Sequence, residues 1–247
     1  MSTATTPDAT NAARPSGPDQ TGFAGRLSVA ITIAVLASAA LWVGGHRDAS
    51  ISDAIEIGVA RAEKRAEDQE QKPHQVRQAI RDQRDTVTFW RTLWMFGDFF
   101  LEPASMVLRT LAVSVAFTAL AALLGRPTQF EESLADNSLC QVFWAAAAVT
   151  AAGLQFMLPN QPVETSMTLL LPPGEYPAVF WYSLRGLDLF ALAGWTFMGV
   201  WAWRRGQSPW WAAPMIVLFL LGTETMARSS LVYGIEIGMR LAFGEAA

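Results

Sequence analysis

ASMVLRTLAVSVAFTALAALLG, Ala104 to Gly125, carries a single charge, Arg109, in a run otherwise made of apolar and small residues. A bilayer core about 30 Å thick takes about 20 helical residues to cross, so this run reads as a membrane span. Four more segments resemble it: Leu27 to Val43, Ser138 to Leu158, Gly186 to Trp203 and Pro209 to Met226. The composition agrees, with 51% hydrophobic and 16% charged residues and ten tryptophans in 247 residues, where a soluble domain carries nearer a quarter charged. The expected fold is therefore all-α, a polytopic membrane protein of about five transmembrane helices. An extramembrane helical arm and a C-terminal amphipathic helix complete it.

Around these spans the chain divides by composition. Residues 1–26 are rich in Ser, Thr, Pro, Gly and Ala with no apolar period, and read as a disordered tail. Residues 27–43 form the first transmembrane helix, an anchor or, given the small residues Ala37 to Ala39, a cleavable signal. Residues 47–92 are the only long water-loving part. There Ile51, Ile55 and Val59 recur at helical spacing, and Val76, Ile80 and Val87 follow after Pro73, so two helices bent at Pro73 are expected. Their charges are nearly balanced, which suits either a solvated face or an arm whose thin apolar stripe docks on another protein. TVTFWRTLWMFGDFFLEP, from Thr86, has the aromatic density of a helix lying at the headgroups and leading into the second span. Residues 93–226 make a four-helix membrane domain, and 227–247 an amphipathic helix on the membrane or against the arm.

The chemistry of known active sites is sparse. No P-loop, G-x-S-x-G, H-E-x-x-H or C-x-x-C pattern occurs, His46 and His74 lack zinc-ligand spacing, and Cys140 is a lone cysteine. No enzyme activity, cofactor or metal is expected. Nucleic acid is not an expected partner either, because the net charge is −4. Asp98 and Glu102 share a helical face but have no third ligand beside them, so the interface accounts for both.

Three charged sites touch the spans. Arg109 lies soon after Pro103 and either snorkels to the headgroups or is a buried counter-charge for Asp188 or Glu224. Arg185 and Asp188 are one turn apart at the mouth of the fourth span, where an acid suits the helix dipole. Glu224 and Arg228 are spaced i,i+4 in the favourable acid-first order. Counted from Pro209, Glu224 falls about 24 Å along the fifth span, which predicts an exit point near the far face rather than an ion path.

Two longer stretches carry a family resemblance. ALAALLGRPTQFEESLADNSLCQVFW, with Gly125 and Phe130, and then SLRGLDLFALAGW, with Leu184, Leu187, Asp188, Leu189, Phe190 and Trp195, resemble the prokaryotic branch of the Yip (Ypt-interacting protein) membrane family. The chain departs from that family's pattern at Arg185 and Gly186, and extends past the fifth span. The resemblance implies a five-helix protein of the bacterial inner membrane with a cytoplasmic amino terminus, no cofactor and no catalysis. Its implied role is that of a non-catalytic accessory or adaptor subunit for another membrane protein or complex, such as an ABC-type exporter. Arg14, Arg26, Arg126, Arg204 and Arg205 against Arg185, Arg228 and Arg240 lean the same way on orientation. The competing expectation is a transporter or channel component whose charges line a path.

Overall fold

A computed structural model describes residues 20–68, 73–126, 128–158, 165–171, 180, 183–184 and 187–242. The tail 1–19 and Arg185 lie outside the described residues, as do the side chains of Glu236 and Arg240. The described chain is helical throughout, apart from short turns and one isolated antiparallel bridge between Ser166 and Asp188.

Among the described residues nine α-helices follow one another: α1 Gln20–Val43, α2 His46–Asp68, α3 Pro73–Asp85, α4 Val87–Phe96, α5 Glu102–Leu123, α6 Phe130–Cys140, α7 Val142–Met157, α8 Leu189–Arg204 and α9 Ala212–Ala242. Among the described residues four stretches are long and apolar enough to cross a membrane: Gly22–Val43, Val87–Leu123, Phe130–Met157 and Ala212–Ile235. Between 12% and 39% of each is buried inside the protein, and Leu36, Leu108, Val115, Leu218 and Phe219 are all more than half exposed. Apolar surface on that scale is what lipid covers. The protein is a membrane protein. Of the expected fourth span, Gly186 to Trp203, the described helix is α8, which has 16 residues.

The core is where the helices meet. Met106, Val113 and Phe117 of α5 pack with Cys140 of α6, Trp144 of α7, Trp195 and Met198 of α8, and Val217 of α9. Glycine lets two of these helices come close: a Cβ on Gly194 would lie 2.6 Å from Trp144 Cζ3. Glycine also ends α5 and α8. Gly125 (φ 70°) and Gly206 (φ 71°) take the left-handed conformation, and the next residues, Arg126 and Gln207, donate N–H bonds back to Ala121 O and Ala202 O at 2.9 and 3.0 Å. This Schellman closure satisfies carbonyls that the helix end would otherwise leave unpaired.

Between α4 and α5 the sequence predicts a surface helix feeding a separate span, but the helix does not break. It passes through a π-helical turn, Gly97–Leu101, in which Glu102 N–H reaches back to Gly97 O. Pro103 has no N–H for the Phe99 carbonyl, and its ring would press on it; widening the turn absorbs both problems without ending the helix. The result is one rod from Val87 to Leu123. At the other end, the expected boundary at residue 226 between span and amphipathic helix is not a helix end, since α9 runs unbroken to Ala242.

The arm forms a small core of its own. Ile51, Ile55 and Val59 are buried against Trp42, Ile80, Trp90 and Trp94. The stripe expected to receive a partner is thus spent largely within the chain, because α3 folds back on α2 and α4 closes the other side. Val76 is half-buried and only Val87 of the six is exposed.

Candidate functional site

The second span carries Arg109 to the middle of the bundle, where α5, α6, α7 and α9 converge. Arg109 is 4% exposed and therefore does not snorkel: the structure selects the buried counter-charge reading, with Glu224 as its partner. Snorkelling fails because α5 begins a full two turns before Arg109, at Glu102, and continues out through the π-turn, which leaves the guanidinium deep.

That guanidinium is held at all three nitrogens and against one aromatic ring. Its Nε donates to Glu224 Oε2 at 3.0 Å, its Nη2 donates to Glu224 Oε1, and its Nη1 donates to Gln141 Oε1 at 3.0 Å. The indole of Trp144 lies against it, 3.9 Å from Cζ to ring centroid. A planar fork gripping a carboxylate with two bonds and stacking on an aromatic ring is geometry that lysine cannot supply.

The network continues outward from Glu224. Arg228 donates from Nε to Glu224 Oε1 at 3.2 Å, from Nη1 to Glu102 Oε2 at 3.1 Å and from Nη2 to Ser105 Oγ at 3.0 Å. Two acids and two arginines thus alternate, Glu102, Arg228, Glu224, Arg109, with no net charge. The string joins the start of α5 to the middle of α9 at two levels, and its members become more buried from Arg228 inward to Arg109. A lone charge at this depth would be very costly, and alternation removes that cost locally.

Three independent helix counts give the depth. Arg109 lies fourteen residues before the end of α5, Gln141 eleven after the start of α6, and Glu224 twelve after the start of α9. At about 1.5 Å per residue these are roughly 21, 16 and 18 Å from helix ends on one face of the bundle. Arg205, just past α8, holds Asp136 of α6 at 3.3 Å and so ties the α8–α9 turn to that same face. One charged layer therefore lies about midway through the spans. α9 starts at Ala212 rather than at Pro209, which shortens the count to Glu224 from about 24 Å to roughly 18 Å.

The remaining expected site residues lie elsewhere. Asp188 caps α8, accepting a 2.7 Å bond from Phe190 N–H and the hydroxyl of Thr165, and is not a partner of Arg109. Asp98 and Glu102 share a helical face but separate in role. Glu102 joins the buried string, while Asp98, in the π-turn, receives Arg47 Nε at 2.9 Å, Arg47 Nη2 at 3.0 Å and Trp42 Nε1 at 3.0 Å. Arg47 also lies over the Trp94 ring, at 5.2 Å. This second node fastens the α1–α2 corner, and with it the arm, to the long rod. Asp98→Ala is expected to cost about 1–3 kcal/mol by stranding Arg47. Limited trypsin digestion of the purified protein should then cut the arm faster; an unchanged rate removes the fastening role.

Sequence reasoning missed Gln141, Trp144 and Ser105. The signal available was Gln141 itself, an amide inside the uncharged run Ser138 to Leu158, since side-chain amides in spans usually bond across helices. Among the described residues no group of His, Cys, Asp and Glu is arranged to hold a metal ion.

These features define an all-helical membrane protein whose spans are pinned together at mid-depth by a neutral charged string. Comparison with protein-family models, with curated proteins and with solved structures gave no match.

Proposed function

We propose that this chain is a non-catalytic accessory or adaptor subunit of the bacterial inner membrane, which binds and stabilises a partner membrane protein or complex, an ABC-type exporter being one such partner. In this reading it has a Yip-like arrangement of five spans, α8 being the fourth, and a cytoplasmic amino terminus. The observation that carries it is the state of Glu224. Both carboxylate oxygens already hold arginine donors, so a proton or cation would have to compete with two guanidinium groups for the acid. Carriers need deep acids that bind and release; an acid shared by two guanidinium groups acts as a fastener. The arm, with its own core and its tie at Asp98, is then a fixed platform outside the cytoplasm.

A second reading, a transporter or channel component, is favoured by one observation: the charged layer lies at mid-depth. Reconstitution in liposomes separates the two. The accessory reading expects no flux of protons or solutes, and flux that Glu224→Gln abolishes overturns it. In native membranes, crosslinking with mass spectrometry should capture a membrane protein, whose steady-state level should fall when this chain is depleted. A level that does not change sinks the stabilising role.

A further inference from the structure

Gln141 carries two irregularities that the charged string does not explain. Its side chain is fully buried; Oε1 accepts from Arg109, but Nε2 has no hydrogen-bond acceptor in the protein. An amide donor left unmatched away from water is costly, more so than one never placed there. The backbone is irregular at the same residue. Within the span Phe130–Met157 the helical ladder is interrupted at Gln141, whose N–H donates to Ser138 O at 3.2 Å, while Trp144 N–H donates to Gln141 O at 3.1 Å. Both bonds reach back three residues, and Gln141 O also accepts from Ala145 N–H at 3.2 Å, four residues on. Helices break in this way at proline, at glycine, or where a side chain or a water enters the ladder. The sequence Ser138-Leu139-Cys140-Gln141-Val142 has neither proline nor glycine, and the one long polar side chain there points its oxygen at Arg109.

We propose that the joint between α6 and α7 binds a water molecule in the middle of the membrane, accepting from Gln141 Nε2 and donating to the Asn137 carbonyl. Asn137 O is the group that Gln141 N–H would reach in an unbroken helix, and Gln141 N–H turns instead to Ser138 O. The ligand is neutral because the surroundings are already balanced: the Arg109 guanidinium has the Glu224 carboxylate as its counter-charge and needs no further anion. A water with at least two polar partners in a buried polar pocket is a normal structural component of proteins. Here it also extends polar contact from the charged string toward Asn137, whose Nδ2 donates to Ser114 Oγ at 3.0 Å and Ser133 Oγ at 3.3 Å.

The test is X-ray hydroxyl-radical footprinting of the full chain in nanodiscs, where radiolysis of a bound water oxidises the side chains beside it even when bulk solvent is excluded. The reporters are Cys140 and Trp144, both buried next to the joint, and the control is Met198, fully buried in the apolar core. After correction for intrinsic reactivity, Cys140 and Trp144 should be oxidised several-fold faster than Met198. Gln141→Leu should bring them down to the Met198 rate. Equal rates at all three in the unmodified protein overturn the proposal, and that comparison stands alone if the variant fails to fold. Fast oxidation that Gln141→Leu leaves unchanged in a folded protein overturns it as well.

Discussion

Arg109→Met is expected to destabilise the protein by about 3–5 kcal/mol, the cost of removing one partner from a buried ion pair. The guanidinium contributes two bonds to Glu224, one to Gln141 and a stacked contact with Trp144, and methionine replaces none of the polar ones. Glu224 would be left with Arg228 alone, at the edge of the string. The double variant Arg109→Met with Glu224→Met should recover most of the loss, because two apolar side chains suit the site once neither charge is stranded. Arg109→Lys should fall between, keeping the charge and losing the fork. Thermal unfolding in mild detergent, completed as a double-mutant cycle, reads all three. Additive losses in the double variant would mean that the two residues do not act as a pair, and the charged layer would then be an accident of position.

Gly194→Ala is the second large effect expected, about 1–3 kcal/mol from a single added methyl group. The new Cβ would stand 2.6 and 2.7 Å from Trp144 Cζ3 and Cη2 and 3.2 Å from Phe143 Cβ, so α7 and α8 must separate. Trp144 cannot yield freely, since it also packs edge-on to Trp195 at 6.2 Å between ring centroids and lies against Arg109. The displacement therefore reaches the charged layer. Gly199→Ala supplies the comparison. Its nearest neighbour, Val217 Cγ2 at 3.0 Å, is a side-chain methyl group on the sparsely covered α9, and the loss should be smaller. Equal losses at both positions, measured by the same unfolding assay, would show that the contact with Trp144 has no special weight.

The spans could be read from the sequence because lipid imposes long apolar runs, and the two arm helices because Pro73 divides two helical periods. The continuity of Val87 to Leu123 could not, because a π-turn at Pro103 depends on how the widened helix is held rather than on any residue that names it. Of the site, Arg109 and Glu224 were visible as one base and one acid in separate spans. Their meeting was not, since it joins residues 115 apart in sequence and depends on the register of α5 against α9. The arm shows the converse: its apolar stripe is plain in the sequence, but periodicity cannot say whether a partner or the chain's own tryptophans will cover it.

The distance between the paired charges has a consequence for how the protein is made. During synthesis Arg109 enters the membrane 115 residues ahead of Glu224, and its compensation arrives only with α9. Until then the second span holds a guanidinium at mid-depth without its acid, and its placement is provisional. A chain cut short anywhere before Glu224 stays in that state. α9 thus supplies the charge that an earlier span enters the membrane without.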